Sequence, residues 1–289
     1  MYRRVLIAAC LGLAALAGCG PLNPGTIITT NGGNANVRVL QGSPDTTPVD
    51  AKLDGSTALT PSGGLAYGKF TGYASIASGS HSLAIYPTGQ STATFTCPLG
   101  VLNAGVGYTI VIAGKQAAGK GTSTGLQCQI FGEPAYPSVT SPQANISLHY
   151  ASPAASAAGN VALSIGTFTP GTTTYNASVG ASTFTAQTSG SAVSNGTALT
   201  ITGVTTAPGV GFWVAAPPTS GSTPTSVLAT ILPSQGQAGA SGSSGASDTG
   251  NIFPQSPLVN FAIYAIDAPA GATSPSGAQT PITLVGVFD

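Results

Sequence analysis

Apolar and polar positions alternate with a period of two in several short stretches of this chain, and proline and glycine cut the stretches apart. In Ala35–Pro44, Val37 and Val39 alternate with Asn36 and Arg38. In Ala144–Pro153, Ile146, Leu148 and Tyr150 alternate with Ser147 and His149. Period two is the signature of a strand buried on one face, and Ser-Pro stops both stretches. The two also match each other at a constant offset of 109 positions, Ala35 against Ala144, with six of the ten positions identical or aliphatic for aliphatic. Two units that open with the same strand are expected, 35–133 and 144–289. They are joined by the proline-rich segment 134–143.

Further strands are expected at Val49–Leu53, Ser82–Tyr86, Ser91–Cys97, Tyr108–Ala113 and Gly125–Phe131. In the second unit they fall at Gly211–Ala215, Ser226–Leu232, Val259–Ile266 and Ile282–Phe288. Asp54-Gly55 and Pro87-Thr88-Gly89 mark turns, and Asn195-Gly196 between alternating runs predicts a two-residue type I′ hairpin. Ser234–Gly250 is glycine, serine and alanine, the composition of a mobile loop. Short strands at turn-punctuated spacing predict an all-β fold, a sandwich or a barrel, in two tandem domains.

Composition agrees. The 289 residues include 40 Gly and 22 Pro, too many for long helices, while 42% hydrophobic residues are enough to build cores. Only 5% of residues are charged. A chain so poor in charge lacks the broad basic face that nucleic-acid binding requires, so no nucleic-acid partner is expected.

The amino terminus carries Arg3-Arg4, then an apolar run from Val5 to Ala17, the order of a secretory signal and too short to span a membrane. Leu16-Ala17-Gly18-Cys19 resembles a bacterial lipobox. The resemblance implies that residues 1–18 are removed and that Cys19 receives a diacylglycerol, giving a membrane contact through lipid on Cys19. Residues 19–34, rich in Gly, Pro and Asn, then form a lipidated, extended tether. With Gly20 after the cysteine, the resemblance points to the outer membrane of a Gram-negative envelope. Cys10 leaves with the signal, so Cys97 and Cys128 remain, 31 positions apart. In an exported protein an even pair reads as a disulfide. A metal pair is the alternative, disfavoured because no third cysteine remains and both histidines are distant in sequence.

Several separated motifs resemble, in order, the domain of unknown function 4397 family of bacterial surface proteins and lipoproteins. They are Val37-Arg38-Val39-Leu40-Gln41-Gly42-Ser43-Pro44-Asp45 with Val49-Asp50 and Leu53-Asp54-Gly55, then Leu65-Ala66-Tyr67-Gly68-Lys69-Phe70-Thr71-Gly72-Tyr73. Ala77-Ser78-Gly79-Ser80-His81-Ser82-Leu83 and Ala104-Gly105-Val106-Gly107-Tyr108-Thr109-Ile110-Val111 follow. The likeness covers about residues 35–115. It implies an immunoglobulin-like β-sandwich and no established activity. The second unit departs from the pattern: Ala154 stands where the first has Asp45, and no Val-Asp or Asp-Gly pair follows.

No residue set marks an active site. Gly114-Lys115-Gln116-Ala117-Ala118-Gly119-Lys120 has the spacing of a phosphate-binding loop, but Gly121 replaces the Ser or Thr and no helix pattern follows; a β-turn loop is expected. Asp45, Asp50 and Asp54 fit no calcium loop, and turn or strand-edge roles are expected; Asp45 with Asp50 is the least implausible calcium pair. His149 alternates outward from Leu148 and Tyr150, which predicts a solvated strand face. His81 is the other histidine, and Glu133 the only glutamate, which leaves paired carboxylates for glycoside cleavage scarce. Asn145, Asn176 and Asn195 begin acceptor patterns for glycosylation, read as chance in a chain rich in Asn, Ser and Thr. Trp213 is read as core, with a sugar-stacking platform as the competing role. No catalytic residue, metal or cofactor is assigned. The expected function is a cell-envelope lipoprotein with a non-catalytic binding or structural role toward an envelope polysaccharide or protein. A carbohydrate-binding module is the alternative, and a hydrolase of envelope polymers ranks after it.

Overall fold

The computed structural model describes residues 33–119, 122–133, 136, 138–139, 143–155, 161–168, 184–205, 210–215, 227–231, 260–272 and 282–288, some of them by backbone alone. The expected signal, most of the expected tether, the segment 234–250 expected as a loop, and Asn176 lie outside the described residues, as does the side chain of Trp213.

The fold is all-β. The first eight strands are β1 (Asn34–Gln41), β2 (Val49–Leu53), β3 (Thr57–Ala58), β4 (Ala74–Ala77), β5 (Gly79–Pro87), β6 (Phe95–Leu102), β7 (Gly107–Ala113) and β8 (Gln127–Gly132). They make two sheets, ordered β4-β1-β7-β8 and β3-β2-β5-β6. The next eight are β9 (Gln143–Ala151), β10 (Val161–Phe168), β11 (Phe184–Val193), β12 (Ala198–Thr205), β13 (Val210–Ala215), β14 (Val227–Ile231), β15 (Asn260–Asp267) and β16 (Ile282–Phe288). Their sheets are β12-β9-β15-β16 and β11-β10-β13-β14.

Adding eight to each strand number turns the first pair of sheets into the second. The parallel strand pairing repeats as well, β1 on β7 and β9 on β15, while the other pairings of named strands among the described residues are antiparallel. The duplication, legible in the sequence only at its opening strand, thus extends over the whole topology.

In the first half, inward side chains of both sheets meet: Val37, Val39, Ile110 and Ile112 from one, Ala51, Leu53, Leu83 and Ile85 from the other. Asp54-Gly55 closes the β2–β3 hairpin with φ of 49° and 73° and a bond from Ser56 N–H to the Leu53 carbonyl at 3.1 Å. Two successive positive φ angles are what a type I′ turn needs. The Asn195-Gly196 expectation is corrected. Of that pair only Gly196 has a positive φ, 81°. β11 pairs with β10 and β12 with β9, so the turn carries the chain between sheets instead of closing a hairpin.

Cys97 on edge strand β6 and Cys128 on edge strand β8 form a disulfide with Cα atoms 6.1 Å apart. It ties together the edges of the two sheets. For its separation of 31 residues the chain-entropy argument gives roughly 3.5 kcal/mol of stabilisation.

The outer face of the β1–β7 sheet does not meet water. Leu40, Val111, Ala113 and Phe131 from the first half pack with Ala151, Ala262, Tyr264, Ile266 and Val285 from the second in one apolar cluster. Both faces of β1, β7, β9 and β15 are buried in consequence.

Candidate functional site

The chemically capable side chains collect where the two halves meet. β1 turns Val37 and Val39 inward, which sends Arg38 to the opposite face. Parallel register sets Thr109 of β7 beside it, and Arg38 Nε donates to Thr109 Oγ1 at 2.7 Å. The same logic in the second half pairs His149 of β9 with Tyr264 of β15, their rings stacked with centroids 4.5 Å apart. Glu133 follows β8 and is held there by its own N–H donating to the Gly107 carbonyl at 2.8 Å.

Glu133 Oε1 is the hub. It accepts from Thr109 Oγ1, from Tyr264 Oη at 2.8 Å and from Arg38 Nη2 at 3.3 Å, and Arg38 Nη2 also lies 3.3 Å from Tyr264 Oη. Arg38 and Glu133, with side chains 2% and 0% exposed, are a fully desolvated ion pair. The guanidinium lies over Tyr73 and Phe70, 4.7 and 5.3 Å from their centroids, a cation–π cage that offsets lost hydration. His149 Nε2 sits 2.8 Å from Ser147 Oγ and 3.9 Å from Glu133 Oε2, and Ser147 Oγ lies 2.8 Å from Tyr136 Oη.

His149 is therefore not on a solvated face but fully buried. Its alternation was read correctly, but the outward side is covered by the other half. Burial drives its pKa down to about 4; Glu133 pulls it upward and Arg38 pushes it further down. The imidazole is neutral at pH 7. Serine and glutamate both approach Nε2, whereas a nucleophile–base–acid relay places them on opposite ring nitrogens.

Aromatic residues at every third position of the segment after Leu65 complete the seal. Hydrogen bonds from Gln41 N–H to the Lys69 carbonyl and from Thr71 N–H to the Val39 carbonyl lay this segment along β1. It delivers Tyr67, Phe70 and Tyr73 to the junction. Phe70 packs edge-on to Tyr264, and Tyr67 Oη donates to the Asp267 carbonyl at 2.7 Å. Burial pushes the Tyr67 hydroxyl up to about 12.

A second node joins the halves at the end of β15. The buried Asp267 carboxylate accepts from Gly114 N–H at 3.0 Å, from Ala154 N–H at 3.0 Å and from Ser152 Oγ. Burial raises its pKa, and these donors oppose the rise.

The remaining candidates are engaged locally. Asp45 accepts from Gln116 and Ala117 N–H at 2.8 and 2.9 Å. Burial lifts its pKa, but these bonds outweigh it and hold it below the ordinary carboxylate value. The loop that mimicked a phosphate site thus already has a carboxylate on its amides, and its one helical turn is the 3₁₀ segment Gln116–Ala118. Asp50 accepts from Gly89 N–H at 3.0 Å. Among the described residues no three His, Cys, Asp or Glu side chains gather as a metal would require.

His81 Nδ1 lies 2.8 Å from Asp54 Oδ2 and its Nε2 2.8 Å from the Ala77 carbonyl. Both partners only accept, which favours the doubly protonated ring, and the bond to Asp54 raises its pKa. Asn145 is fully buried, with Nδ2 donating to Asn260 Oδ1 at 3.0 Å, and Asn195 Oδ1 accepts from Gln129 at 3.0 Å.

The sequence reading missed Arg38, Tyr264 and Asp267. A signal for Arg38 was present: apart from Arg3 and Arg4 it is the only arginine, and it stands between Val37 and Val39 in a strand.

Eight-strand halves with paired four-stranded sheets define the class of this protein, an all-β tandem built on one repeated topology. Residues 35–158 match the family model of a domain of unknown function (DUF4397). The match runs through β9, the first strand of the second half. No curated protein matches the chain. No helix among the described residues is long and apolar enough to cross a membrane.

Proposed function

We propose that this protein is a cell-envelope lipoprotein, anchored through Cys19 and serving a non-catalytic binding or structural role. The observation that carries the reading is the state of its acid–base side chains. Arg38, Glu133 and His149 are sealed between two sheets, His81 has both ring nitrogens occupied, and Asp45 and Asp267 cap backbone amides. General acid–base catalysis needs a titratable group within reach of a substrate proton, and these groups are committed to holding the fold. Recognition then falls to sheet faces and loops, acting through hydroxyls and backbone groups.

Fractionation and mass spectrometry of the membrane fraction test the anchor. Wild-type protein should begin at a diacylated Cys19, and Cys19→Ser should leave the membrane fraction; an intact, unlipidated amino terminus in wild type would refute it. The role itself is tested on a glycan array and by assays of envelope-polymer cleavage. Hydrolysis that disappears in a His81→Ala, His149→Ala double variant would overturn the non-catalytic reading.

A further inference from the structure

The cluster around His149 holds one cation, Arg38, and one anion, Glu133, with His149 itself neutral; the other carboxylate of the junction, Asp267, lies in a separate node at the end of β15. We propose that His149 makes this junction acid-sensitive: a proton on its ring puts a second cation into a sealed cluster whose one anion is Glu133, and the halves part there while the core of the first half stays intact.

The groups facing His149 can be named element by element. Glu133 comes from the segment after β8, Arg38 from β1 and Tyr264 from β15. Tyr136 reaches it through Ser147, and Phe131 of β8 is edge-on at 5.0 Å. Glu133 offers incomplete compensation. Its Oε1 already serves Thr109, Tyr264 and Arg38, and only Oε2, without a hydrogen-bond partner among the described residues, points to the imidazole at 3.9 Å. His149 Nδ1 likewise has no partner among the described residues, so the doubly protonated ring carries an N–H there with no acceptor among them.

The sign of the effect is fixed. The ring titrates at 6.5 when free and at about 4 when buried, so the open form binds more protons between these values. The contribution of His149 is at full strength above pH 6.5 and weakens as the pH falls toward 4, where it raises the open-to-closed ratio roughly a hundredfold; Asp267, raised by burial, acts in the opposite direction. The core of the first half contains none of the residues of this cluster. Its core draws on inward side chains and its sheet edges are tied by the Cys97–Cys128 disulfide.

Hydroxyl-radical footprinting of the full chain, read by mass spectrometry across this pH range, tests the proposal. Tyr264 and Phe131 report on the junction; Leu83 and Ile85 report on the first core. Labelling of Tyr264 and Phe131 should rise roughly tenfold or more by pH 4, within the hundredfold that linkage allows. Leu83 and Ile85 should stay protected. His149→Gln and His149→Phe should abolish the rise, two variants guarding against a folding failure in one. Protection of Tyr264 at pH 4, simultaneous labelling of Leu83 and Ile85, or the same acid midpoint in either folded variant would each overturn the proposal.

Discussion

Arg38→Ala is the sharpest probe of how the halves are held together. The substitution removes the hydrogen bonds to Thr109 at 2.7 Å and to Glu133 and Tyr264 at 3.3 Å. It also empties the space over the Tyr73 and Phe70 rings. The dominant cost is none of these. Glu133, with a side chain 0% exposed, is left without its counter-charge in a site that water does not reach. Breaking a buried pair from one side costs about 3–5 kcal/mol, and loss of the packed Arg stem adds to this. Replacing both partners, as in Arg38→Met with Glu133→Gln, leaves no orphaned charge and should cost about 1 kcal/mol or less. Urea unfolding of the oxidised protein, followed by tyrosine fluorescence and circular dichroism, measures both. A loss below about 1 kcal/mol for Arg38→Ala, or a double variant worse than the single, would refute the reasoning that an uncompensated charge dominates.

Reducing or substituting the disulfide, as in Cys97→Ser with Cys128→Ser, should lower stability by roughly 3.5 kcal/mol in the same unfolding assay. Wild-type protein should show no reactive thiol at either position. At Gly42 a Cβ would sit 3.0 Å from Val111 Cγ1 and 3.1 Å from Ile266 Cγ2, on opposite sides of the junction. Gly42→Val should therefore overpack it and cost about 1–3 kcal/mol, while a melting temperature equal to wild type would contradict the close approach. The His81–Asp54 pair should contribute about 0.2–1 kcal/mol, since Asp54 is half exposed. With Asp54 lowered by its bonds from His81 and Ser82, and His81 raised by Asp54, this contribution is present between the two ordinary values. It fades as pH falls through the lowered carboxylate or rises through the raised imidazole. Asp54→Asn should flatten that profile in a pH series of melting temperatures.

Alternation, glycine and proline determined much of this protein before any tertiary contact was known. They set the all-β class, the edges of strands such as β2 and β16, the Asp54-Gly55 turn and the direction in which each side chain leaves its strand. The disulfide was also legible, because only two cysteines stand beyond the amino-terminal segment that carries Cys10 and Cys19. β3, β4 and β10 were not read, and β11 and β12 were read only as the arms of a hairpin that they do not form, since short or Gly-, Ser- and Thr-rich runs carry no strong period. The match of the second half to the first was visible only at Ala144–Pro153; over the rest, topology is shared where residue identity is not.

What covers each strand was decided only in three dimensions. A period of two assigns Arg38 to one face and Val37 and Val39 to the other, but it is silent on whether the polar face meets water or protein. Tyr264, which completes the site of Arg38, lies 226 positions away in sequence. The same holds for His149, whose polar neighbours along β9 match a solvated strand as well as a buried one. Its environment is set by Phe131, Glu133 and Tyr264, brought together by the packing of two sheets. Local sequence fixes where a side chain points, because backbone geometry alternates residue by residue. Whether that direction is wet or dry depends on surfaces that meet only after both halves have formed, and here the charge and the titration of the site follow from that meeting.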